Sequence, residues 1–142
     1  MPHATRTVTI ARGRDDVFSF FADAENDPAW RTGVLKMRRD GAIGVGVRYE
    51  QLTAGPFGRA IPADIEVTEY LPPSRLAFKV VAGPVRPVGS YDFDGDEATT
   101  VTFTLDAQLT GLRKLLLGSM VQRTMDAEVA ALDRAKALLE SR

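Results

Sequence analysis

Five side chains in this sequence have types and positions suited to chemistry in an apolar pocket. Tyr49, Gln51, Glu69 and Tyr91 alternate with polar residues in predicted strands and share the apolar side, and Trp30 lies in a short helical segment before them. Tyrosine hydroxyls on such a face can hydrogen-bond a ligand carbonyl. A desolvated glutamate has a raised pKa, so Glu69 could act as a general acid or base. The alternative is that the tyrosines are core residues bonded to backbone while Glu69 lies in water.

The usual catalytic constellations are missing from the sequence. His3 is the only histidine and cysteine is absent, which excludes Ser-His-Asp and Cys-His triads and His-rich or Cys-based metal sites. The glycine-rich stretch 41–46 matches neither the dinucleotide pattern nor a P-loop, and it is typical of a hairpin connection. The acidic stretch 92–97 lacks the glycine position and the final glutamate of a calcium loop. We therefore expect no metal and no cofactor.

The overall charge gives no reason to expect nucleic acid or an anionic membrane surface as a partner. Lys and Arg number 18 against 19 Asp and Glu, which leaves a net charge of −1. The longest aliphatic run, Leu115–Leu117, is far shorter than a membrane span, and residues 1–16 contain no apolar signal segment. We expect a cytoplasmic protein with no membrane span. The sequence also contains a local basic cluster, which we interpret as a solvated edge strand: Arg31, Lys36, Arg38 and Arg39.

The elements that must position the candidate side chains follow from hydrophobic periodicity. The 142 residues suit one domain, 1–142, and 44% of them are hydrophobic. Two short helices are predicted within 15–32, the second beginning at Pro28. Alternating residues between turn signals such as Asp40-Gly41 and Gly55-Pro56-Phe57-Gly58 predict an antiparallel sheet. The seven predicted strands are 5–10, 34–39, 46–53, 63–71, 75–82, 88–94 and 99–108.

One face of this sheet is apolar and must be covered by another element. The segment 112–140 contains no proline and has an apolar stripe at helical spacing, so we expect one long C-terminal helix across the concave face. An internal cavity between the sheet and this helix would accommodate an apolar ligand. Its predicted lining, with Trp30 near the mouth, is Tyr49, Gln51, Val67, Phe78, Val80, Tyr91, Phe103, Val121 and Met125.

The order of elements resembles the helix-grip fold of the START-like or SRPBCC superfamily, an α+β fold. The residues that carry the resemblance are 17–30, which run from an aromatic helix into Pro28-Ala29-Trp30, together with 67–78 and 89–93. Within the superfamily the chain is most similar to the bacterial polyketide cyclase/dehydrase-type branch. The resemblance covers about Thr5 to Leu139.

This resemblance implies binding of a small apolar molecule between the sheet and the long helix. Such proteins bind lipids, polyketides, quinones, hormones or aromatic compounds, and some of them are enzymes. The first hypothesis is therefore a protein that cyclises or dehydrates a polyketone with acid or base assistance from Glu69, Tyr49 or Tyr91. The second is a non-catalytic carrier or sensor of a lipid, quinone or aromatic metabolite. The third is an interaction module that uses the outer face of the sheet, and a homodimer is compatible with all three.

Overall fold

The computed structural model describes residues 2–55 and 58–142, and its centre is an antiparallel sheet. The strands are paired in the order β1-β8-β7-β6-β5-β3-β2, with the short β4 paired to β3. Seven strands were expected, and the described sheet has eight because residues 60–62 form this additional short strand. Pro56 and Phe57 of the predicted Gly55–Gly58 turn lie outside the described residues. The strands are β1 His3–Ile10, β2 Val34–Asp40, β3 Arg48–Ala54, β4 Ala60–Pro62, β5 Ile65–Leu71, β6 Arg75–Val80, β7 Val88–Gly95 and β8 Thr99–Asp106.

The two faces of the sheet differ as the alternation predicted. On β1 and β8 the outward threonines form cross-strand hydroxyl pairs, Thr7 with Thr102 and Thr9 with Thr100. On the inner side Val101 and Phe103 are fully buried. The curled sheet with its apolar inner face and C-terminal helix is the predicted helix-grip arrangement.

Two short helical segments follow β1, as expected, but the second begins at Ala24, before the predicted start at Pro28. Helix α1, Arg14–Ala22, has Asp15 and Asp16 in its first turn, where carboxylates are favoured by the helix dipole. A 3₁₀ helix, Ala24–Ala29, continues the chain, and the Asp23 carboxylate accepts a hydrogen bond from the Glu25 amide at its start. Helix α1 packs on the concave face of the sheet, where its Phe21 ring lies 5.1 Å from the Tyr91 ring of β7. The 3₁₀ helix packs against β2.

The C-terminal helix is interrupted, which corrects the expected single helix over 112–140. Helix α2 spans Gly111–Ala130 and α3 spans Leu132–Glu140, with Ala131 between them. The Ala131 amide still reaches the carbonyl of Ala127, so the backbone continues with only a local distortion. No helix in the described part of the chain is long and apolar enough to cross a membrane.

Candidate functional site

A small cavity lies on the concave face of the sheet, under α1 and the 3₁₀ helix instead of between the sheet and the C-terminal helix as predicted. Its lining comes from α1, the 3₁₀ helix and strands β3, β5, β6 and β7, not from the C-terminal helix. The water-accessible volume is about 20 Å³, whereas one water needs roughly 10 to 15 Å³ and a ligand pocket spans about 300 to 1,000 Å³. The predicted ligand-sized cavity is therefore closed in this conformation. The lining residues are Phe21, Ala22, Ala24, Asp27, Arg31, Tyr49, Ile65, Val67, Leu76, Phe78 and Tyr91.

Most of the cavity wall is apolar and tightly packed. The Tyr91 ring stacks on Phe103 with 4.4 Å between ring centroids. The Phe78 ring packs directly over Gly89. A Cβ placed on Gly89 would lie only 2.3 Å from this ring, so the close approach requires glycine. Of the lining residues, Phe78 and Arg31 are half-buried and the others are fully buried. The wall at Phe78 is thus the apolar part of the lining that comes nearest to solvent.

The polar part of the wall is a buried ion-pair cluster around Arg31. Arg31 Nη1 donates to Asp27 Oδ2 at 2.9 Å and to Gln51 Oε1 at 3.1 Å, and Arg31 Nε donates to Glu128 Oε2 at 2.7 Å. The side chains of Arg31 and Asp27 are only 11% and 6% exposed. The cluster joins the 3₁₀ helix, β3 and α2, so one guanidinium connects three elements that are distant in sequence.

Burial shifts the protonation of this cluster. Desolvation raises the pKa of Asp27 from 3.8 to about 6, although the positive charge of Arg31 opposes the change. Burial alone would lower the pKa of Arg31, but the charges of Glu128 and Asp27 outweigh it and raise that pKa. Arg31 therefore stays charged, while Asp27 can exchange a proton near neutral pH.

Tyr91 is the one predicted catalytic residue that lines the cavity with an unused hydroxyl. Its hydroxyl makes no hydrogen bond with another described residue. Burial raises the pKa of Tyr91 well above its ordinary value, and the negative charge of Asp27 raises it further. The phenol is therefore neutral at physiological pH and can donate a hydrogen bond to a ligand.

Tyr49 and Gln51 also point inward, but their polar atoms are already engaged. The Tyr49 hydroxyl donates to the Ala22 carbonyl at 3.3 Å, which is the alternative considered for the tyrosines. Gln51 Nε2 donates to the Ala63 carbonyl at 2.7 Å while its Oε1 accepts from Arg31. Tyr49 lines the cavity, whereas Gln51 does not line it and holds the Arg31 guanidinium by a hydrogen bond.

The expected inward position of Glu69 is wrong. A β-bulge in β5 inserts one residue between Val67, paired with Phe78, and Glu69, paired with Ala77. Beyond the bulge the facing of the strand reverses, so Tyr70 packs on the core and Glu69 points outward. The Glu69 side chain is 46% exposed and forms an ion pair with Arg75. It does not contact the cavity.

The other predicted ligand-binding residues separate into two groups. Val67 and Phe78 line the cavity as expected. The remaining ones belong to the surrounding core and do not line it: Trp30, Val80, Phe103, Val121 and Met125. Trp30 is completely buried and does not lie at a cavity mouth. Its Nε1 makes no hydrogen bond with a described residue, but it lies near Asp27 and lowers the pKa of that carboxyl.

Sequence reasoning missed Asp27, Arg31 and Glu128. Arg31 was grouped with the basic edge strand, where Lys36 and Arg38 do lie in water beside Glu50. One local signal was present, because Asp27 and Arg31 are four residues apart on either side of Trp30. The contact with Glu128 has no local signal, since 97 residues separate the partners.

The assembled groups suit recognition of an oxygen atom on an otherwise apolar molecule. Tyr91 offers a neutral donor, and Asp27 offers a carboxylate that titrates near pH 6 beside a fixed cation. Among the described residues no three His, Cys, Asp or Glu side chains come together as metal ligands would. Tyr91 and Asp27 can orient a ligand and exchange a proton with it.

The amino-acid sequence matches the model of a known protein family. The family model described as polyketide cyclase / dehydrase and lipid transport matches residues 1–140. Among curated proteins, none matches the sequence.

Solved structures with the same fold cover nearly the whole chain. A protein from Thermus thermophilus is 21% identical with a TM-score of 0.81, over 99% of this chain and 98% of that one. A START superfamily protein from Mycobacterium smegmatis is 17% identical with a TM-score of 0.68, over 99% and 95%. The Zhui aromatase/cyclase from Streptomyces sp. R1128 is 18% identical with a TM-score of 0.71, also over 99% and 95%. At these identities the likeness concerns the fold.

Proposed function

The chain belongs to the polyketide cyclase/dehydrase and lipid transport family, and from that premise we propose that it binds a small apolar or aromatic molecule with an oxygen atom held at Tyr91. The observation that carries the proposal is the convergence of apolar walls on one unused hydroxyl beside the buried Arg31–Asp27 pair. A largely apolar lining with a few convergent polar groups is how small-molecule sites are built.

The ligand enters by enlarging the cavity, because the closed conformation has room for about one water. Phe78 is the movable part of the wall in this proposal. Its ring is half-buried and rests on Gly89, which has no side chain to hold it in place. Rotation of one aromatic ring opens the apolar end while the ion-pair cluster stays fixed.

Catalysis is the finer part of the proposal and assigns a role to each polar group. In a cyclisation or dehydration of a polyketone, Tyr91 donates to a carbonyl oxygen, which makes the neighbouring carbon more acidic. The Asp27 carboxylate takes the proton from that carbon, and Arg31 holds Asp27 in place through the 2.9 Å hydrogen bond. The second candidate, a non-catalytic carrier, needs the apolar walls and Tyr91 but no proton transfer.

Native mass spectrometry of the purified protein tests binding, because a retained small molecule appears as a mass increase that denaturation removes. Uptake of the neutral fluorescent probe N-phenyl-1-naphthylamine provides a second readout. Tyr91→Phe should weaken binding of an oxygen-bearing ligand about 2-fold to 13-fold, equivalent to roughly 0.5 to 1.5 kcal/mol. Tyr70→Phe is the matched control, since Tyr70 packs beside Phe18 and does not line the cavity. A protein that retains nothing and takes up no probe contradicts the proposal.

Asp27→Asn separates an enzyme from a carrier. Asparagine keeps the shape of the side chain but removes its titration, so an enzyme should lose about 100-fold or more in turnover of a linear polyketone with binding little changed. A carrier binds the same compound and shows no turnover with either aspartate or asparagine.

A further inference from the structure

The N-terminal half of α2 exposes a row of large apolar side chains. Leu115 is 82% exposed, Leu112 69%, Leu116 67% and Met120 47%. Large leucines this accessible are unusual on a folded surface, and these four lie within nine residues of one another. The row has no function in the fold described above, because none of its members lines the cavity or belongs to the buried core.

Helix geometry places Leu112, Leu116 and Met120 of this row on the side of α2 that faces away from the sheet, with Leu115 at the edge of that side. The buried residues of α2 are Val121, Met125 and Val129, spaced by four. Leu112, Leu116 and Met120 are also spaced by four, and at about 100° per residue the two stripes lie about 180° apart. No small shift of the helix can therefore bury the outer row against its own sheet.

Unpaired positive charges accompany the exposed row. Residues 107–125 contain Arg113, Lys114 and Arg123 but no acidic residue. Arg113 Nη1 donates to the Pro84 carbonyl at 3.1 Å, which brings the 83–88 loop with Arg86 next to the start of α2. None of these four cations forms an ion pair within residues 2–55 and 58–142. The net charge of −1 for the whole chain conceals this local positive region.

We propose that this face docks on a bilayer that contains anionic phospholipid. An amphipathic helix of this kind lies in the plane of the interface, with leucines at the boundary between headgroups and acyl chains and basic residues against the phosphates. The α2 docking face is defined here as Leu112, Arg113, Leu115, Leu116, Met120 and Arg123.

Charge complementarity favours a lipid surface over a second copy of the chain. A twofold contact between two α2 docking faces would bring Arg113 and Arg123 of each copy toward the same cations of the other. A stable dimer also buries more than about 1,000 Å², whereas the row from Leu112 to Met120 extends only about 12 Å along the helix. An anionic bilayer neutralises the cations and buries the leucines at the same time.

Co-sedimentation with vesicles tests the proposal on the full chain. We expect binding to vesicles of phosphatidylcholine and phosphatidylglycerol at 70:30, about tenfold or more weaker binding to phosphatidylcholine alone, and loss of the difference in high salt. The double variant Leu115→Ser/Leu116→Ser and the variant Arg123→Glu should each reduce binding about tenfold or more. Leu35→Ser and Arg59→Glu are the controls, because Leu35 is exposed on β2 and Arg59 is exposed just before β4.

The thermal unfolding midpoint of the α2 variants should match that of the parent, since none of the changed side chains is buried. Equal binding to neutral and anionic vesicles, or no binding to either, overturns the proposal. It is also overturned if the parent is a dimer by analytical ultracentrifugation and Leu115→Ser/Leu116→Ser is a monomer, because the face then joins two copies. Ligand uptake in the cavity is measured without vesicles, so either proposal can fail alone.

Discussion

Arg31 Nε donates a 2.7 Å hydrogen bond to Glu128 Oε2 and connects the segment after the 3₁₀ helix to the last turn of α2. The same guanidinium holds Asp27, so a single cation balances two carboxylates at the edge of the cavity. The position of α2 over the sheet and the ionisation of the cavity wall therefore depend on the same side chain.

Replacing Arg31 by methionine should destabilise the protein strongly. The methionine retains much of the apolar stem, but the buried Asp27 carboxylate loses its cation and the partly exposed Glu128 loses the same partner, at a cost of about 3 to 5 kcal/mol. Urea unfolding at pH 7 measures the change. Arg38→Met is the matched control and should stay within about 0.5 kcal/mol, because Arg38 is 68% exposed. Equal costs for the two variants would mean that the cluster does not hold the fold together.

The stability of the parent should carry a pH-dependent contribution from Asp27. Its folded-state pKa of about 6 lies above the ordinary 3.8, so the folded protein binds this proton more tightly than the unfolded chain. The resulting stabilisation is fully present below about pH 4 and is lost as the pH rises through 6, in total about 3 kcal/mol.

Asp27→Asn isolates this contribution. Glu50 and Glu140 have lowered pKa values and act in the opposite direction, so the useful quantity is the difference in unfolding free energy between parent and variant at each pH. That difference should change between pH 4 and 7 and stay constant below pH 4. A difference that is constant throughout would show an ordinary pKa for Asp27.

The sheet was predictable because alternation of apolar and polar residues is a local pattern. Val101 and Phe103 face the core, while Thr100 and Thr102 face the outside, as the sequence of β8 indicates. The bulge in β5 was not predictable from the same pattern. Alternation alone predicts that Val67, Glu69 and Leu71 lie on the same face of β5. Only the pairing of Glu69 with Ala77 reveals the added residue.

The candidate site was predicted less completely than the fold, for a physical reason. Tyr49 and Tyr91 were found because they lie on the apolar face of strands, where facing follows from periodicity. Arg31 was assigned to water because charged residues are normally exposed. Its burial depends on Glu128, a partner that only the folded chain brings near.

The two cavity tyrosines should respond differently to loss of their hydroxyls. Tyr49→Phe removes the hydrogen bond to the Ala22 carbonyl and should cost about 1 kcal/mol of stability with little effect on ligand binding. Tyr91→Phe removes a hydroxyl that bonds no described residue, so stability should be unchanged or slightly higher while ligand binding weakens. Urea unfolding and probe displacement on both variants measure the contrast. The reverse pattern would assign the ligand contact to Tyr49.

Glu69→Gln should leave ligand binding and turnover unchanged. Glu69 points away from the cavity and pairs with Arg75, which also bonds Asp92. An exposed pair of this kind contributes about 0 to 1 kcal/mol, so only a small loss of stability is expected. A large rate loss without a stability loss would mean that β5 adopts another register when the ligand is bound.

Gly89→Ala should displace the Phe78 ring and thereby change the cavity. The new Cβ would lie 2.3 to 2.9 Å from three ring atoms of Phe78, so the ring must move, at a cost of about 1 to 3 kcal/mol. Gly118→Ala is the matched control, because nothing lies within 4 Å of that added methyl, and a helical alanine should stabilise by about 0.5 to 1 kcal/mol.

Combining Gly89→Ala with Phe78→Leu should recover much of the lost stability, since the smaller side chain leaves room for the methyl. In a double-mutant cycle by urea unfolding the two changes should couple by at least about 0.5 kcal/mol, and probe affinity should change with Gly89→Ala but not with Gly118→Ala. Strictly additive effects would show that the Phe78 ring does not rest on Gly89 in solution, and the proposed opening of the cavity at Phe78 would lose its basis.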